Sequence, residues 1–175
     1  MLFSSGLDYL KDDGSFGFDD EKAVAALGKL REMFTSKYLL LAAPKDWYDA
    51  SALTTGLTAM QFTGLWTFPS ITKELGDDYG AIPWPAMPGG KQSVVVGAYG
   101  SCVNAKSQNV DAAKEFAKWL WVDQTDKQLD FATAYGFHIP ARASLAAKAK
   151  TLESGPAKDA AAAAQEFGHA QNQIL

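Results

Sequence analysis

An α/β architecture is predicted by three features of this 175-residue sequence. Apolar residues recur at helical spacing in several segments, runs suited to strands lie between them, and no internal repeat or long linker breaks the alternation. Hydrophobic residues make up 47% and charged residues 21%, enough apolar surface for a core and too little charge for a disordered chain. The length fits one ordinary domain.

Taken in order, Asp12-Asp13-Gly14 reads as a turn, and Asp19, Asp20 and Glu21 gather where a helix N-terminus favours negative charge. Ala23, Leu27, Leu30 and Phe34 follow at helical spacing with Lys22, Lys29 and Arg31 between them, which predicts an amphipathic helix. Pro44 interrupts, and a short helix is expected around Asp49 to Thr55. Leu57 to Phe62 alternates Leu, Ala and Gln as a strand does, so GLTAMQFTGLW (56–66) reads as turn, strand, turn. Phe68 to Leu75 predicts a helix with Pro69 in its first turn, where a missing N–H costs nothing. Tyr79 to Ile82 suits a short strand, and Pro83 to Gly90 a rigid loop ending in a flexible turn. Val94 to Val103 begins as a buried strand of β-branched residues and passes into small ones, which let another group approach the backbone.

Asn109 is placed to cap a helix in which Ala113, Phe116, Ala117 and Leu120 share a face. Thr125 with Gln128 makes a capping box for the next helix, ended by Gly136. Ala143 to Leu152 and Ala157 to Phe167 predict two more, divided by Gly155-Pro156; the alanines of the last favour helix strongly.

Composition excludes several functions. Sixteen basic against twenty acidic residues give a net charge of −4, with no block of Lys or Arg to neutralise phosphates, so no nucleic-acid partner is expected. The longest apolar stretches, Tyr38 to Ala43 and the alanines from Ala160, fall short of the roughly 20 residues a membrane helix needs. The first residues lack the basic and apolar regions of a signal peptide, which fits a mature or truncated secreted chain as well as a cytoplasmic one. Cys102 is alone, which excludes an internal disulfide and a cysteine zinc site. His138 and His169 are too far apart for a helical zinc pair, and Tyr9 and Lys11 stand where a calcium loop from Asp8 would need oxygen ligands. No Gly-rich phosphate loop occurs, and neither metal nor cofactor is expected.

Catalysis finds little support. Cys102 and His138 are candidates for nucleophile and base, but a lone Cys inside a strand reads as a small buried hydrophobe. Asp12-Asp13 and Asp77-Asp78 are candidate glycosidase carboxyls, but adjacent acids beside Gly read as solvated turns.

The aromatics carry more information. Five Trp, six Tyr and ten Phe exceed what packing alone asks for, and Trp and Tyr suit surfaces with one apolar and one wet side. Trp66, Phe68, Trp84 and Tyr99 fall at predicted strand ends or in the loops after them, where α/β proteins place ligands. A pyranose stacks its C–H face on such a ring while the polar tip bonds a hydroxyl. Trp66 reads as a ligand contact, with Gly64 clearing space for it, whereas Trp119 and Trp121 read as core rings of a helix.

These pieces in series resemble the extracellular solute-binding proteins of family 1, the maltose-binding-protein-like sugar receptors of ABC importers. The most specific segment is Ala52 to Met60 followed by Gly64-Leu65-Trp66, similar to the family signature of a glycine, then Ala-Met, then Gly and Trp; Leu53 and Thr55 depart from the usual Phe and basic residue. Asp12-Asp13-Gly14 with the helix from Asp19, Ile82-Pro83-Trp84-Pro85 with Pro88-Gly89-Gly90, Val96 to Gly100, Asn109 to Leu120 and Gly136 to Arg142 resemble further family elements in the same order.

The resemblance implies a periplasmic-binding-protein-like (type II) lobe, with a mixed sheet flanked by helices, in an incomplete fragment lacking the first lobe's N-terminal part and the C-terminal tail. It divides the chain into a C-terminal-lobe segment (1–95), a hinge strand with helices returning to the N-terminal lobe (96–140), and a helical segment crossing back (141–175). It implies a binding protein rather than an enzyme, which holds a sugar or oligosaccharide in a cleft and delivers it to ABC permease subunits. The expected location is the periplasm or the extracellular face of the cytoplasmic membrane, as in a lipoprotein. Trp66 would be the stacking floor, Tyr99 a hinge-side contact, Trp84 a second platform and Arg142 a donor to ring hydroxyls. The apolar faces of the hinge strand and of the helix from Val110 would lack their cover, and a homo-oligomer or domain-swapped dimer is expected to hide them. The rival readings are a small α/β glycoside hydrolase and a protein-interaction module whose aromatic loops serve as anchors.

Overall fold

The computed structural model describes residues 1–41, 46, 48–134 and 137–170. Seven α-helices and one short parallel sheet organise these residues: α1 (Glu21–Thr35), α2 (Ser51–Thr54), α3 (Phe68–Leu75), β1 (Val94–Val96), α4 (Val110–Lys118), α5 (Thr125–Ala134), α6 (Ala143–Ala146), α7 (Gly155–Phe167) and β2 (Gly168–Ala170). Pro44 and Gly136, expected to break the chain and to end a helix, lie outside the described residues.

Helix α1 forms where charge and periodicity place it. Asp20 accepts a hydrogen bond from the Lys22 N–H at 2.8 Å, which caps the first turn. At the other end the Tyr38 N–H donates to Met33 O and the Lys37 N–H to Phe34 O, both at 3.2 Å. Lys37 adopts the left-handed conformation usually left to glycine at that position, with φ 61°. Of the predicted stripe only Ala23 is buried, joined by Ala26; Leu30 is half-buried, whereas Leu27 and Phe34 are exposed.

The main core sits between α2, α3 and α7. Ala50, Phe68, Ile71 and Ala157 are buried there, with Leu53, Leu65, Tyr79, Phe137 and Leu152 packed around them. Phe68, expected among the ligand-facing rings, is instead a core residue at 7% exposure, edge-on to Tyr79 at 5.6 Å. The cause is its position one turn before Ile71 on a helix whose opposite side faces solvent.

A second packing centre gathers the chain's first residues. Phe3 is buried, stacks on His169 of β2 at 4.7 Å, and meets the edge of Tyr9 at 5.0 Å. Ser4 O accepts from the Met87 N–H at 2.9 Å, and a Cβ at Gly90 would collide with that same carbonyl. Glycine there lets the loop lie on the turn.

The sheet pairs Val94, Val95 and Val96 with Gly168, His169 and Ala170 in parallel register. Parallel strands need a long crossover, here residues 97–167, whose last helix, α7, runs directly into β2. With antiparallel bridges at Leu10↔Phe16 and Trp84↔Ser93, both strand directions occur. The result is a helix-rich α/β structure with a small sheet, of the predicted class.

Three predicted strands are shorter or missing. Residues 57–62 are irregular, with bends at Leu57 and Ala59, and are tied to α2 and the residue pair before it by the Thr58 N–H on Ala52 O at 2.9 Å and by Gln61 Nε2 on Asp49 O at 2.8 Å. Residues 79–82 also remain irregular, and pairing is confined to Trp84, whose neighbours Pro83 and Pro85 have no N–H to give. The Val94–Val103 strand stops at Val96 and is not buried, since Val95 and Val96 are exposed. Cys102, expected inside it, is exposed in irregular chain.

The helical half follows the sequence more closely. Asn109 precedes α4 but makes no side-chain cap bond, and Phe116 on the predicted apolar face is exposed. The chain continues as a π-helical turn, Trp119–Asp123, into α5. Helix α5 begins at Thr125 itself, with the Gln128 N–H on Gln124 O at 3.1 Å, so Thr125 is the first helical residue rather than the cap expected before it. The helix expected over Ala143 to Leu152 is split into α6 and a 3-10 turn at Lys150–Leu152. Pro156 opens α7 from its first turn.

Trp119 and Trp121 are not core rings. They are 46% and 36% exposed, Trp119 tilted against Phe116 at 5.8 Å and Trp121 edge-on to Phe131 at 5.3 Å. The π turn leaves both rings partly exposed, Trp121 beside α5.

Candidate ligand-binding site

The approach to Trp66 is built by hydrogen bonds around one buried threonine. Thr67, 2% exposed, donates from both its N–H and its hydroxyl to Gly64 O, at 3.1 and 2.9 Å. Its hydroxyl also meets that of Thr63 at 3.0 Å, and its carbonyl accepts from Ser70 Oγ at 2.7 Å. These bonds close a 3-10 turn over Leu65–Thr67 that leads into α3. Because Phe68 and Ile71 anchor α3 in the core, the turn is held on rigid structure while Trp66 projects from it at 45% exposure.

Gly64 is extended, with φ −133° and ψ 178°. Its absent side chain is what matters: a Cβ there would overlap the six-membered ring of Trp66. The indole therefore lies back across the Gly64 Cα. Gly64 clears space for the ring, as expected, by receiving it.

The remaining sequence-predicted residues are held by other local structures. Trp84 is half-buried and packs on Phe62, their centroids 3.9 Å apart and their planes tilted by 32°. Tyr99 is 91% exposed, edge-on to His138 at 5.8 Å. Arg142 is exposed and donates from Nη2 to the carbonyl of Val122 at 3.0 Å, at the end of the π turn. That bond neutralises part of the negative helix end.

Sequence reasoning singled out none of Phe62, Thr58 and Gln61, and weighed His138 only as a base or metal ligand. Phe62 was legible only as one position of an alternating run, and its pairing with Trp84 depends on a fold-back that no local pattern encodes. Thr58 Oγ1 and Gln61 Oε1 are buried without a hydrogen-bond partner, as is Gln128 Nε2. A buried polar atom left unpaired costs about 1–3 kcal/mol, and two of these three lie in the segment that carries Trp66.

Electrostatic perturbation occurs away from these residues and has local causes. The Ser15 hydroxyl and N–H, at 2.6 and 2.9 Å, hold the Asp13 carboxyl below its usual range. Asp46, accepting from Tyr48 Oη at 2.7 Å, pushes that phenol up. Two surface hollows, of about 470 Å³ beside Lys91, Glu166 and His169 and about 540 Å³ beside Trp121, Lys127 and Phe131, are lined by none of the predicted residues. Both are open depressions.

In a comparison with protein families, residues 1–164 match the model for bacterial extracellular solute-binding protein. The chain belongs to that family. The match spans every described element through most of α7 and leaves only β2 beyond it. Membership of this solute-binding family gives the chain a substrate-binding role in ABC transport and an extracytoplasmic setting. Among the described residues no helix is long and apolar enough to cross a membrane.

Proposed function

We propose that this solute-binding protein is a sugar receptor, which binds a sugar or oligosaccharide in a cleft between two lobes and passes it to the permease subunits of an ABC importer. The observation that carries this reading is the half-exposed indole of Trp66 laid on Gly64. With part of the ring against the backbone, the indole cannot rotate freely, and its exposed part can stack on the apolar side of a pyranose. Stacking buries C–H surface, while hydroxyls at the sugar edge are matched by polar groups; an analogue lacking one leaves a buried partner unpaired.

In this reading the chain passes between lobes, with 1–95 in one, 96–140 in the hinge and the other, and 141–175 crossing back. Closure about the hinge brings Tyr99 toward the solute, Trp84 adds a second platform and Arg142 donates to ring hydroxyls once drawn from Val122. The output is binding without turnover. The receptor works in the periplasm or as a lipoprotein on the outer face of the cytoplasmic membrane.

Tryptophan fluorescence titrated with glucose, xylose, maltose and cellobiose tests the proposal, in the full chain as the cell makes it. Saturable quenching or enhancement by at least one sugar, with no release of chromophore from aryl glycosides, is expected. Silence across the sugars, or turnover of a glycoside, contradicts it.

A further inference from the structure

We propose that Phe62, carried on Trp84, is a second stacking platform beside Trp66, and that the site it completes takes linked sugar units in preference to a single one. The inference rests on the sugar-receptor reading above and adds to it a residue and the size of the solute.

One ring of the pair supports the other. Their centroids lie 3.9 Å apart with the planes tilted by 32°, a face-to-face approach, since edge-on rings stand farther apart. Phe62 is nonetheless 65% exposed, whereas Trp84 is half-buried. Trp84 is thus the support, and Phe62 is the ring a solute meets. The platform assigned to Trp84 is reached through Phe62.

Both rings are held by the chain on either side of them. Trp84 exchanges hydrogen bonds with the buried Ser93, its N–H on Ser93 O at 2.9 Å and the Ser93 N–H on Trp84 O at 3.1 Å, while Pro83 and Pro85 restrict the backbone before and after it. Next to Phe62, Gln61 Nε2 donates to Asp49 O at 2.8 Å, and the Thr63 hydroxyl meets that of Thr67 at 3.0 Å. A ring so held has little freedom left to lose when a sugar stacks on it.

The same bonds bring Phe62 near Trp66. A fully extended chain would separate the Cα atoms of residues 62 and 66 by at most about 14 Å. The chain between them is folded, by the contact of Thr63 with Thr67 and by the Thr67 N–H on Gly64 O at 3.1 Å, so the separation is shorter than that limit. One turn therefore carries two accessible rings, Phe62 at its entry and the 45% exposed Trp66 within it. Each suits the apolar C–H face of a pyranose. Consecutive units of an oligosaccharide can occupy both, whereas a monosaccharide stacked on Trp66 leaves Phe62 open.

Calorimetry of the full chain as the cell makes it, with glucose against maltose and cellobiose and with xylose against xylobiose, tests the inference. In at least one of these comparisons the linked sugar is expected to bind more tightly by roughly tenfold. Phe62→Ala is expected to remove that advantage and to leave the affinity for the single sugar within about threefold of the parent. Phe62→Tyr keeps the flat ring and should keep the advantage; Phe62→Leu keeps only apolar bulk and should lose it. Trp84→Ala, acting through the position of Phe62, should likewise weaken the linked sugar alone. Equal binding of both sizes by the parent, an advantage that survives Phe62→Ala, or an equal loss for both sizes overturns the inference. If Trp66→Ala then still weakens every sugar, the sugar reading stands without the second platform. Failure of all these sugars to bind the unaltered protein removes both.

Discussion

The indole of Trp66 occupies the space that a side chain at Gly64 would need. The two residues act as a unit, since the glycine fixes where the ring lies and the ring explains why no larger residue stands there. Gly64→Ala is therefore expected to lift the indole off the backbone and weaken sugar binding by at least tenfold. The backbone at 64 is extended, which alanine adopts freely, so the fold should survive. Circular dichroism and a fluorescence titration check both halves, and a normal affinity in Gly64→Ala would separate the residues functionally.

The core beneath the site sets the cost of losing it. Ile71 is 1% exposed at the centre of the α2, α3 and α7 cluster, and Ile71→Ala is expected to cost about 2–5 kcal/mol. Urea denaturation measures that loss. Leu27→Ala on the exposed side of α1 is expected to stay within about 0.5 kcal/mol.

The turn at Asp13 gives a pH dependence of known sign. Its carboxyl pKa is lowered, first by the Ser15 side chain, so the charged form is favoured in the folded protein. That contribution is present above the ordinary carboxylate pKa and is lost as pH falls through the depressed value. Ser15→Ala should accordingly lower the melting temperature slightly at neutral pH and match the parent in acid, as scanning calorimetry across the acid range would show.

Self-association is the fourth expectation. Phe116, Trp119 and Trp121 follow one another on exposed surface of α4 and the π turn, and Val95 and Val96 are exposed on β1. Apolar faces of this extent are commonly covered by another chain. Size-exclusion chromatography with light scattering of the 175 residues should give an oligomer that Trp119→Glu reduces to monomer. A clean monomer of the parent at high concentration would contradict it.

The helices were legible because their signals are local. Asp20 before Glu21, Pro69 in the first turn of α3 and the alanines of α7 each decide a helix from within one turn or two. The strands were not, because pairing is a property of two segments: Val94–Val96 forms a strand by meeting Gly168–Ala170, whose sequence GHA carries no strand signal. The site divides in the same way. Gly64 and Trp66 stand close enough in sequence for their relation to be read directly. The Phe62–Trp84 pair and the unpartnered atoms of Thr58 and Gln61 depend on chain folding back from elsewhere. Trp119 and Trp121 were misread as core because helical spacing shows which residues share a face, not what lies opposite it.

The central claim is that Trp66 is the floor on which the solute rests. Isothermal titration calorimetry of the full chain with its best-binding sugar, before and after Trp66→Ala, addresses it most directly. Truncation of a buried aromatic contact should cost about 2 kcal/mol or more, a loss of roughly thirtyfold or greater in affinity, with the melting temperature of the solute-free protein little changed because the ring is half exposed. An affinity equal to that of the parent would contradict the account.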